Sequence, residues 1–364
     1  MRTRLHELQA AGTAPWLDNI RRGWLHGGQF RELLDQGVVG VTTNPSIFEK
    51  AFTDTDDYDE AIEARAGMDA GDAFFELAIE DVREAADQMH EIYEATGHLD
   101  GRVSFELPPN MANDTEASTR AAKEFFERID RPNAFIKIPG TSAGPKAIED
   151  SIAAGINVNV TLLFAIESYA EVHEAYMRGL ERRLEAGQPI AEVYSVASFF
   201  VSRVDTAVDK LLPERSPLRG SVAVANARLA YQRYLEMIDT PRWRAIAAKG
   251  GNVQRPLWAS TGTKNPEYSD VLYIDTLIGP DTVNTMPEKT IAAFVDHGTV
   301  ERTVDADVEG ARRVIEELDE AGVSLEQVTH QLQVDGVRQF EQAFDSLLST
   351  LEKRLSAVGA RGAV

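Results

Sequence analysis

Side chains able to do acid, base and amine chemistry lie at or near the ends of short apolar runs. Lys137 interrupts the run Ala-Phe-Ile before Ile-Pro-Gly, and Glu106 lies late in Val-Ser-Phe-Glu-Leu. Asp18 follows Trp-Leu in the same way. A lysine amine suits Schiff-base chemistry at a carbonyl, and a nearby carboxyl group suits the proton transfers that such chemistry requires.

Lys137 gives the most specific of these indications. It is one of nine lysines, and it lies within a segment that is otherwise typical of a buried strand. Burial penalises an ammonium ion and so favours the neutral amine that a Schiff-base nucleophile requires. The alternative is a lysine on an edge strand, where it would discourage aggregation. A closed barrel has no edge strands, so the choice depends on the fold.

The carboxyl and amide groups have structural alternatives too. Glu106 is a candidate general acid or base acting through a water, or one half of a buried ion pair with Lys137. Asp18 is a second candidate proton acceptor, or the N-cap of a helix that follows. Asn44 and Asn159 are candidates for hydrogen bonds to substrate hydroxyls, although an asparagine before proline is also ordinary in a turn.

A candidate anion site combines cations and hydroxyl groups late in the chain. Arg203 lies where a helix is expected to begin, and Ser260 and Lys264 follow the seventh apolar run. Barrels often hold a phosphate near their last strands, and the N–H groups at a helix start favour anions. The alternative for Arg203 is a salt bridge to an aspartate of its own helix, Asp205 or Asp209.

Eight apolar runs of strand length alternate with amphipathic segments. They cover residues 16–20, 38–44, 102–107, 134–139, 156–164, 193–200, 256–261 and 281–286. This alternation predicts an α/β fold with a parallel sheet, and eight such units close a (β/α)8 TIM barrel. The alternative is a doubly wound sheet, which usually shows a glycine-rich phosphate-binding turn after its first strand. Neither G-x-G-x-x-G nor G-x-x-x-x-G-K-[ST] occurs here.

We predict one barrel domain over residues 1–364 with additional helices. A helical insertion near residues 54–96 fills the gap between two strands with at least two acidic helices. A helical C-terminal tail covers residues 324–357, with a break expected near Gly336 because glycine weakens a helix.

Composition and charge limit the classes of function. The 364 residues include 37 Lys+Arg and 59 Asp+Glu, and the net charge of −22 disfavours binding to nucleic acid or to anionic membranes. The absence of cysteine excludes disulfides, thiol catalysis and cysteine-ligated metals, and the seven histidines show no metal-ligand spacing. No signal peptide or long apolar stretch is found, so we expect a soluble, cytoplasmic protein without a bound metal.

The strand-end motifs, taken together, resemble the transaldolase family in its longer bacterial form. The matching stretches are WLDNIRR, GVTTNPSIFEKA, VSFELPPNMANDTEAS, NAFIKIPGT, INVNVTLLF, SVASFFVSRVD and WASTGTKNP, in the order in which the family has them. The resemblance implies a (β/α)8 barrel and a Schiff-base enzyme of the pentose phosphate pathway that needs no cofactor. It would move a dihydroxyacetone unit from sedoheptulose 7-phosphate to glyceraldehyde 3-phosphate, giving erythrose 4-phosphate and fructose 6-phosphate.

The resemblance also assigns roles by motif. Lys137 would form the Schiff base, Asp18 would take the proton of the C4 hydroxyl, and Glu106 would act through a water. The sugar and the water would be held by Asn44, Asn159, Thr161 and Ser198, and the phosphate by Arg203, Ser260 and Lys264. The partners would therefore be phosphorylated sugars, and the protein would be a monomer or a homodimer.

Two positions bear on the choice between related activities. Family members that act as fructose 6-phosphate aldolases tend to carry Gln and Tyr where this chain has Glu106 and Phe200, so both residues favour the transferase and place Phe200 at the substrate. Shorter transaldolases have ASFRN where this chain has ASTGTKNP, so Lys264 replaces an arginine. The alternatives are an aldolase that releases dihydroxyacetone and a non-catalytic barrel that binds sugar phosphates.

Overall fold

The structure, a computed structural model that describes residues 2–361, is built on a closed barrel of eight parallel strands in chain order. The strands are β1 (Thr13–Leu17), β2 (Gly40–Thr42), β3 (Arg102–Glu106), β4 (Ala134–Pro139), β5 (Val158–Leu163), β6 (Ser195–Phe200), β7 (Arg255–Ala259) and β8 (Thr282–Met286). The predicted (β/α)8 barrel and its eight strands are confirmed. Met1 and residues 362–364 of the predicted domain lie outside the described residues.

At least one helix follows every strand. The helices are α1 (Arg4–Ala10), α2 (Arg22–Gly27), α3 (Gln29–Asp35), α4 (Pro45–Asp54), α5 (Asp59–Glu63), α6 (Ala70–Gln88), α7 (His90–Ala95), α8 (Thr115–Ile129), α9 (Gly144–Ala153), α10 (Ile166–Glu185), α11 (Ser202–Val208), α12 (Val222–Ile238), α13 (Pro241–Ala247), α14 (Leu272–Asp275), α15 (Glu288–His297), α16 (Val308–Glu320) and α17 (Leu325–Arg361). Within residues 2–361, no helix has both the length and the apolar character that crossing a membrane requires.

Strand register decides which side chains meet inside the barrel. Glu106 of β3 lies opposite Lys137 of β4, and Lys137 lies opposite Asn159 of β5. Side chains in register on neighbouring parallel strands point to the same face, and residues two apart along one strand share that face. Thr161, two residues after Asn159, therefore faces the same side as Lys137.

An aromatic plug fills the barrel beneath these polar residues. Trp16 of β1 is fully buried and stacks on Phe135 of β4, with ring centroids 6.1 Å apart. Gly40 of β2 lies opposite Trp16 in the strand register, and a Cβ atom at Gly40 would lie 2.3 Å from the indole ring. Only glycine leaves room for the indole at this point of the barrel.

The acidic insertion is anchored by a buried charged network. Three helices, α5 to α7, occupy the segment for which at least two were predicted. Arg22 of α2 donates from Nε to Oδ1 of Asp81 on α6 at 2.7 Å, and the Tyr58 hydroxyl donates to Oδ2 at 2.6 Å. Burial raises the pKa of Asp81 to about 6, although the Arg22 guanidinium opposes that shift. The network ties the insertion to the segment that follows β1.

The C-terminal tail is one continuous helix, so the predicted break near Gly336 is wrong. Residues on both sides of Gly336 belong to α17. A Cβ atom at this position would lie 2.9 Å from Cδ2 of Leu162 in β5. The glycine therefore serves close packing of α17 against the end of a barrel strand, and this contact offsets the low helix propensity of glycine.

Replacing Gly40 with alanine tests the aromatic plug. We expect Gly40→Ala to lower the free energy of unfolding by about 3 kcal/mol, the upper end of typical overpacking costs, because the new methyl group overlaps the Trp16 ring. Denaturant unfolding of the wild type and the variant measures this loss. In a Trp16→Phe background the smaller ring leaves space, so the same substitution should cost clearly less. An equal cost in both backgrounds would contradict the account.

Candidate active site

Lys137 and Glu106 form a buried ion pair at the centre of the barrel. Nζ of Lys137 donates to Oε2 of Glu106 at 2.5 Å and to the backbone oxygen of Thr43 at 2.8 Å. The side chains of Lys137 and Glu106 are each 6% exposed. Because the barrel is closed, the edge-strand alternative for Lys137 is wrong, while the ion-pair alternative for Glu106 describes the observed contact.

The environment of Glu106 makes its carboxyl group hold a proton more readily than an exposed glutamate does. Burial raises the pKa of Glu106 above its usual range, and the positive charge of Lys137 opposes this shift. The other carboxylate oxygen, Oε1, is buried and has no hydrogen-bond partner among the described residues 2–357, and the same is true of Oγ1 of Thr161. The pair therefore combines a carboxyl group that holds a proton readily with polar atoms free to bind a further molecule.

Asp18 lies directly after β1 and is held from neighbouring strands. Its Oδ1 accepts a hydrogen bond from the Thr42 hydroxyl at 2.9 Å, and that hydroxyl is also 2.7 Å from the hydroxyl of Thr285. Burial raises the pKa of Asp18, and the charge of Lys137 opposes the shift. The next helix begins at Arg22, so the N-cap alternative for Asp18 is wrong.

The predicted amide residues differ in how free their side chains are. Asn44 is the N-cap of α4, because its Oδ1 accepts from the N–H of Ile47 at 3.2 Å. Asn159 is fully buried, donating to the Ser104 hydroxyl at 3.0 Å and accepting from the Ser198 hydroxyl at 2.7 Å. The side-chain oxygen of Asn44 therefore caps a helix and does not close a turn, while Asn159 and Ser198 form a polar chain beside Lys137.

Arg203 lies in the first turn of α11 and does not pair with the aspartates predicted as its alternatives. Its guanidinium lies over the Phe200 ring, 5.2 Å from the centroid, and NH1 donates to Oε1 of Gln339 at 3.1 Å. Asp205 instead accepts from the N–H of Ala223 at 2.8 Å. The salt-bridge alternative for Arg203 is therefore wrong over the described part of the chain.

The three residues predicted to hold an anion line one cavity of about 1090 Å³. Arg203, Ser260 and Lys264 form one side of it, and α17 forms the other. Burial together with the charges of Lys289 and Arg203 lowers the pKa of Lys264. Ser260 has a positive φ of 55°, a left-handed conformation that costs a non-glycine residue about 1 kcal/mol. Such strain is concentrated at functional sites.

Charge links the anion site to the reactive pair. The charge of Arg203 acts on both Asp18 and Glu106, lowering the pKa of each against the larger effect of burial. On the other side of the barrel mouth, Asp18 and Asn44 line a separate cavity of about 430 Å³ together with Lys50. The predicted residues therefore surround Lys137 from two sides, but they do not all share one open pocket.

Several contributors are not predicted from the sequence. The Thr42 hydroxyl donates to Asp18, and the backbone oxygen of Thr43 accepts from Lys137. Both threonines belong to the TTNPS motif, which could have marked them as site residues. Gln339 of α17 contacts Arg203 from more than one hundred residues further along the chain, and no local pattern marks it. Asn284, a polar strand residue, instead accepts from Thr261 at 2.8 Å and supports the barrel wall.

Removing the lysine tests the buried pair through its pH dependence. We expect Lys137→Met to lower the free energy of unfolding by about 3 kcal/mol at pH 8, because Glu106 is left buried without a counter-charge. A carboxyl group whose pKa is raised in the folded state lowers the free energy of unfolding as the pH rises. The loss begins near the pKa of the group in the unfolded chain, about 4.3, and is complete above its pKa in the folded state. The loss should therefore be absent in acid and grow with pH. Unfolding measured from pH 4 to 8 follows it.

The double variant Lys137→Met/Glu106→Gln is the control. The glutamine carries no charge, so the pH-dependent loss should disappear and most of the stability should return. If the single and double variants showed the same pH profile, Glu106 would not be the buried charge that Lys137 compensates.

Comparisons with known proteins agree on one family. A family model described as Transaldolase/Fructose-6-phosphate aldolase matches residues 15–351. A protein named Transaldolase from Frankia alni is 46% identical over 367 residues, covering 98% of this chain and 99% of that protein. A Transaldolase from Parafrankia sp. is 47% identical over 365 residues with the same coverage. A Transaldolase 2 from Nostoc sp. is 44% identical over 370 residues, covering 96% and 97%. This chain belongs to the transaldolase/fructose-6-phosphate aldolase family.

Proposed function

We propose that this protein is a transaldolase that moves a dihydroxyacetone unit from sedoheptulose 7-phosphate to glyceraldehyde 3-phosphate. The observation that carries the proposal is the Lys137–Glu106 contact, an amine 2.5 Å from a buried carboxyl group. Arg203 and Lys264 add an anion site at the same barrel mouth, which suits a phosphorylated sugar. Relatives named Transaldolase align with nearly the whole chain.

The first step is imine formation. Lys137 passes a proton to Glu106, and the neutral amine attacks the C2 carbonyl of the ketose. Glu106, whose pKa burial raises, returns a proton to the carbinolamine hydroxyl through a water, and that hydroxyl leaves as water. The product is an iminium ion on Lys137. The unpartnered Oε1 of Glu106 and Oγ1 of Thr161 are the atoms we assign to the water.

The second step breaks the carbon–carbon bond. Asp18 takes the proton of the C4 hydroxyl, the C3–C4 bond breaks, and its electron pair neutralises the iminium to an enamine. The aldose phosphate leaves, and an acceptor aldose reverses these steps with Asp18 returning the proton. Burial raises the pKa of Asp18, so the residue holds a proton more readily than an exposed aspartate.

Binding roles follow from position. We assign the C1 end of the sugar to Asn44, Asn159 and Ser198, which surround the reactive pair. The Arg203 guanidinium packs over the Phe200 ring. We assign the phosphate to Arg203, Ser260 and Lys264. A lysine at 264 supplies a point charge in place of the two-pronged contact of an arginine.

An aldolase that releases dihydroxyacetone is the second candidate, because the family description includes fructose-6-phosphate aldolase. Glu106 and Phe200 favour the transferase, since the aldolases tend to carry Gln and Tyr there. A non-catalytic binder would have no use for an amine buried against a carboxyl group.

We also propose a single barrel domain, supported by one continuous hydrophobic core from Leu5 to Leu355. Cytoplasmic location, metal-free action and a monomeric or dimeric state stay predictions.

A transfer assay tests the proposal. The purified protein is given fructose 6-phosphate and erythrose 4-phosphate, and sedoheptulose 7-phosphate is quantified. We expect turnover by the wild type and a loss of about a thousandfold or more in Lys137→Met, because the substitution removes the amine to which we assign the imine. Lys146→Met is the matched control, since Lys146 lies exposed on α9 and should leave turnover unchanged.

Leaving out the acceptor separates the two enzyme classes. A transaldolase releases little dihydroxyacetone from fructose 6-phosphate alone, whereas an aldolase releases it continuously. Sustained release without an acceptor would replace the transferase by the aldolase. A folded wild type with neither activity would leave the non-catalytic binder.

A further inference from the structure

Helix α17 contacts the barrel mouth through three residues at intervals of three. Nε2 of Gln333 donates to the backbone oxygens of Gly140 at 2.8 Å and Leu162 at 3.3 Å. Gly336 packs against Leu162, and Gln339 accepts a hydrogen bond from Arg203 at 3.1 Å. Residues three apart are neighbours on a helix surface, so Gly336 lies beside both Gln333 and Gln339, and we call these three residues the docking edge.

The docking edge fixes α17 relative to the strands that carry the chemistry. Gly140 directly follows β4, which contains Lys137, and Leu162 belongs to β5, which contains Asn159. Leu162 has a positive φ of 60° and lies where the pairing of β5 with β6 is irregular. Gln333 therefore satisfies one carbonyl group just after β4 and one in the irregular part of β5, and it helps to set the position from which Gln339 reaches Arg203.

Arg203 is otherwise held only loosely. Its guanidinium rests on the Phe200 ring, and it forms no salt bridge with any of the described residues 2–357. A guanidinium has five N–H donors, and the Gln339 oxygen occupies one of them, on NH1. A neutral amide orients the guanidinium without cancelling its charge, so the remaining donors stay available to an anion.

We propose that Gln339 is a positioning residue that aims Arg203 at the substrate phosphate and thereby sets the preference for phosphorylated over unphosphorylated sugars. This inference rests on the proposed function, in which Arg203 binds the phosphate. Gln339 acts through Arg203, so its main effect is on phosphate binding, and its effect on the chemistry at Lys137 is small.

Two variants of Gln339 test the inference. In Gln339→Glu a carboxylate would pair with Arg203 and compete with the phosphate, so we expect KM for erythrose 4-phosphate to rise about tenfold or more, as loss of a charge-assisted hydrogen bond implies. The kcat should stay within about twofold, and so should KM for unphosphorylated erythrose. Gln339→Met keeps the length but removes the acceptor, and a rise of about threefold in KM for the phosphorylated acceptor is expected.

Gln342→Glu provides the matched control. It places the same added charge on an exposed position of the same helix, and its kinetics should equal those of the wild type. The inference is overturned if Gln339→Glu keeps the wild-type KM, if kcat falls as much as KM rises, or if Gln342→Glu has the same effect.

Calorimetric binding of inorganic phosphate separates this inference from the proposed function. If the wild type shows no transfer, the proposed function fails, and phosphate titration still tests Gln339. Weaker phosphate binding in Gln339→Glu than in Gln342→Glu then supports the inference, and equal binding overturns it.

Discussion

The contact between Lys137 and Glu106 is the interaction on which the rest of the site depends. Two charges buried inside a barrel lose their hydration, and only a close partner makes this tolerable. The same burial that makes the pair costly raises the pKa of Glu106 and Asp18, so both carboxyl groups hold a proton more readily than exposed ones do. Burial away from water therefore causes both effects: the desolvation cost of the ion pair and the raised pKa values of the carboxyl groups that take part in the proposed proton transfers.

Strand register and packing hold the pair in place. Glu106, Lys137 and Asn159 lie in register on three adjacent strands, so closing the barrel brings their side chains together without loop rearrangement. Below them, Trp16 packs against Gly40 and fills the barrel, while the polar layer lies toward the carboxyl ends of the strands. At that end, α17 and the loop after β7 form the cavity that contains the cations. Strands β3 and β4 thus carry the reactive pair, while α11 and the loop after β7 carry the residues of the anion site.

Sequence patterns predict those parts of the site that depend on local chemistry. The eight apolar runs predict every strand, because burial on both faces leaves few polar positions, and Lys137 is conspicuous for the same reason. The continuous course of α17 was not predicted, because the contact of Gly336 with Leu162 depends on tertiary packing. The contact of Gln339 with Arg203 was missed for a related reason: it joins residues far apart in the chain, and neither carries a local motif for it.

Borohydride trapping tests the central claim, that Lys137 is the amine that forms the imine. The folded protein is reduced in the presence of fructose 6-phosphate, digested and analysed by mass spectrometry, with a sample lacking the sugar as the control. We expect a three-carbon adduct on the peptide that contains Lys137 and on no other lysine peptide. An adduct on a different lysine, or no adduct in a protein shown to be folded, would contradict it.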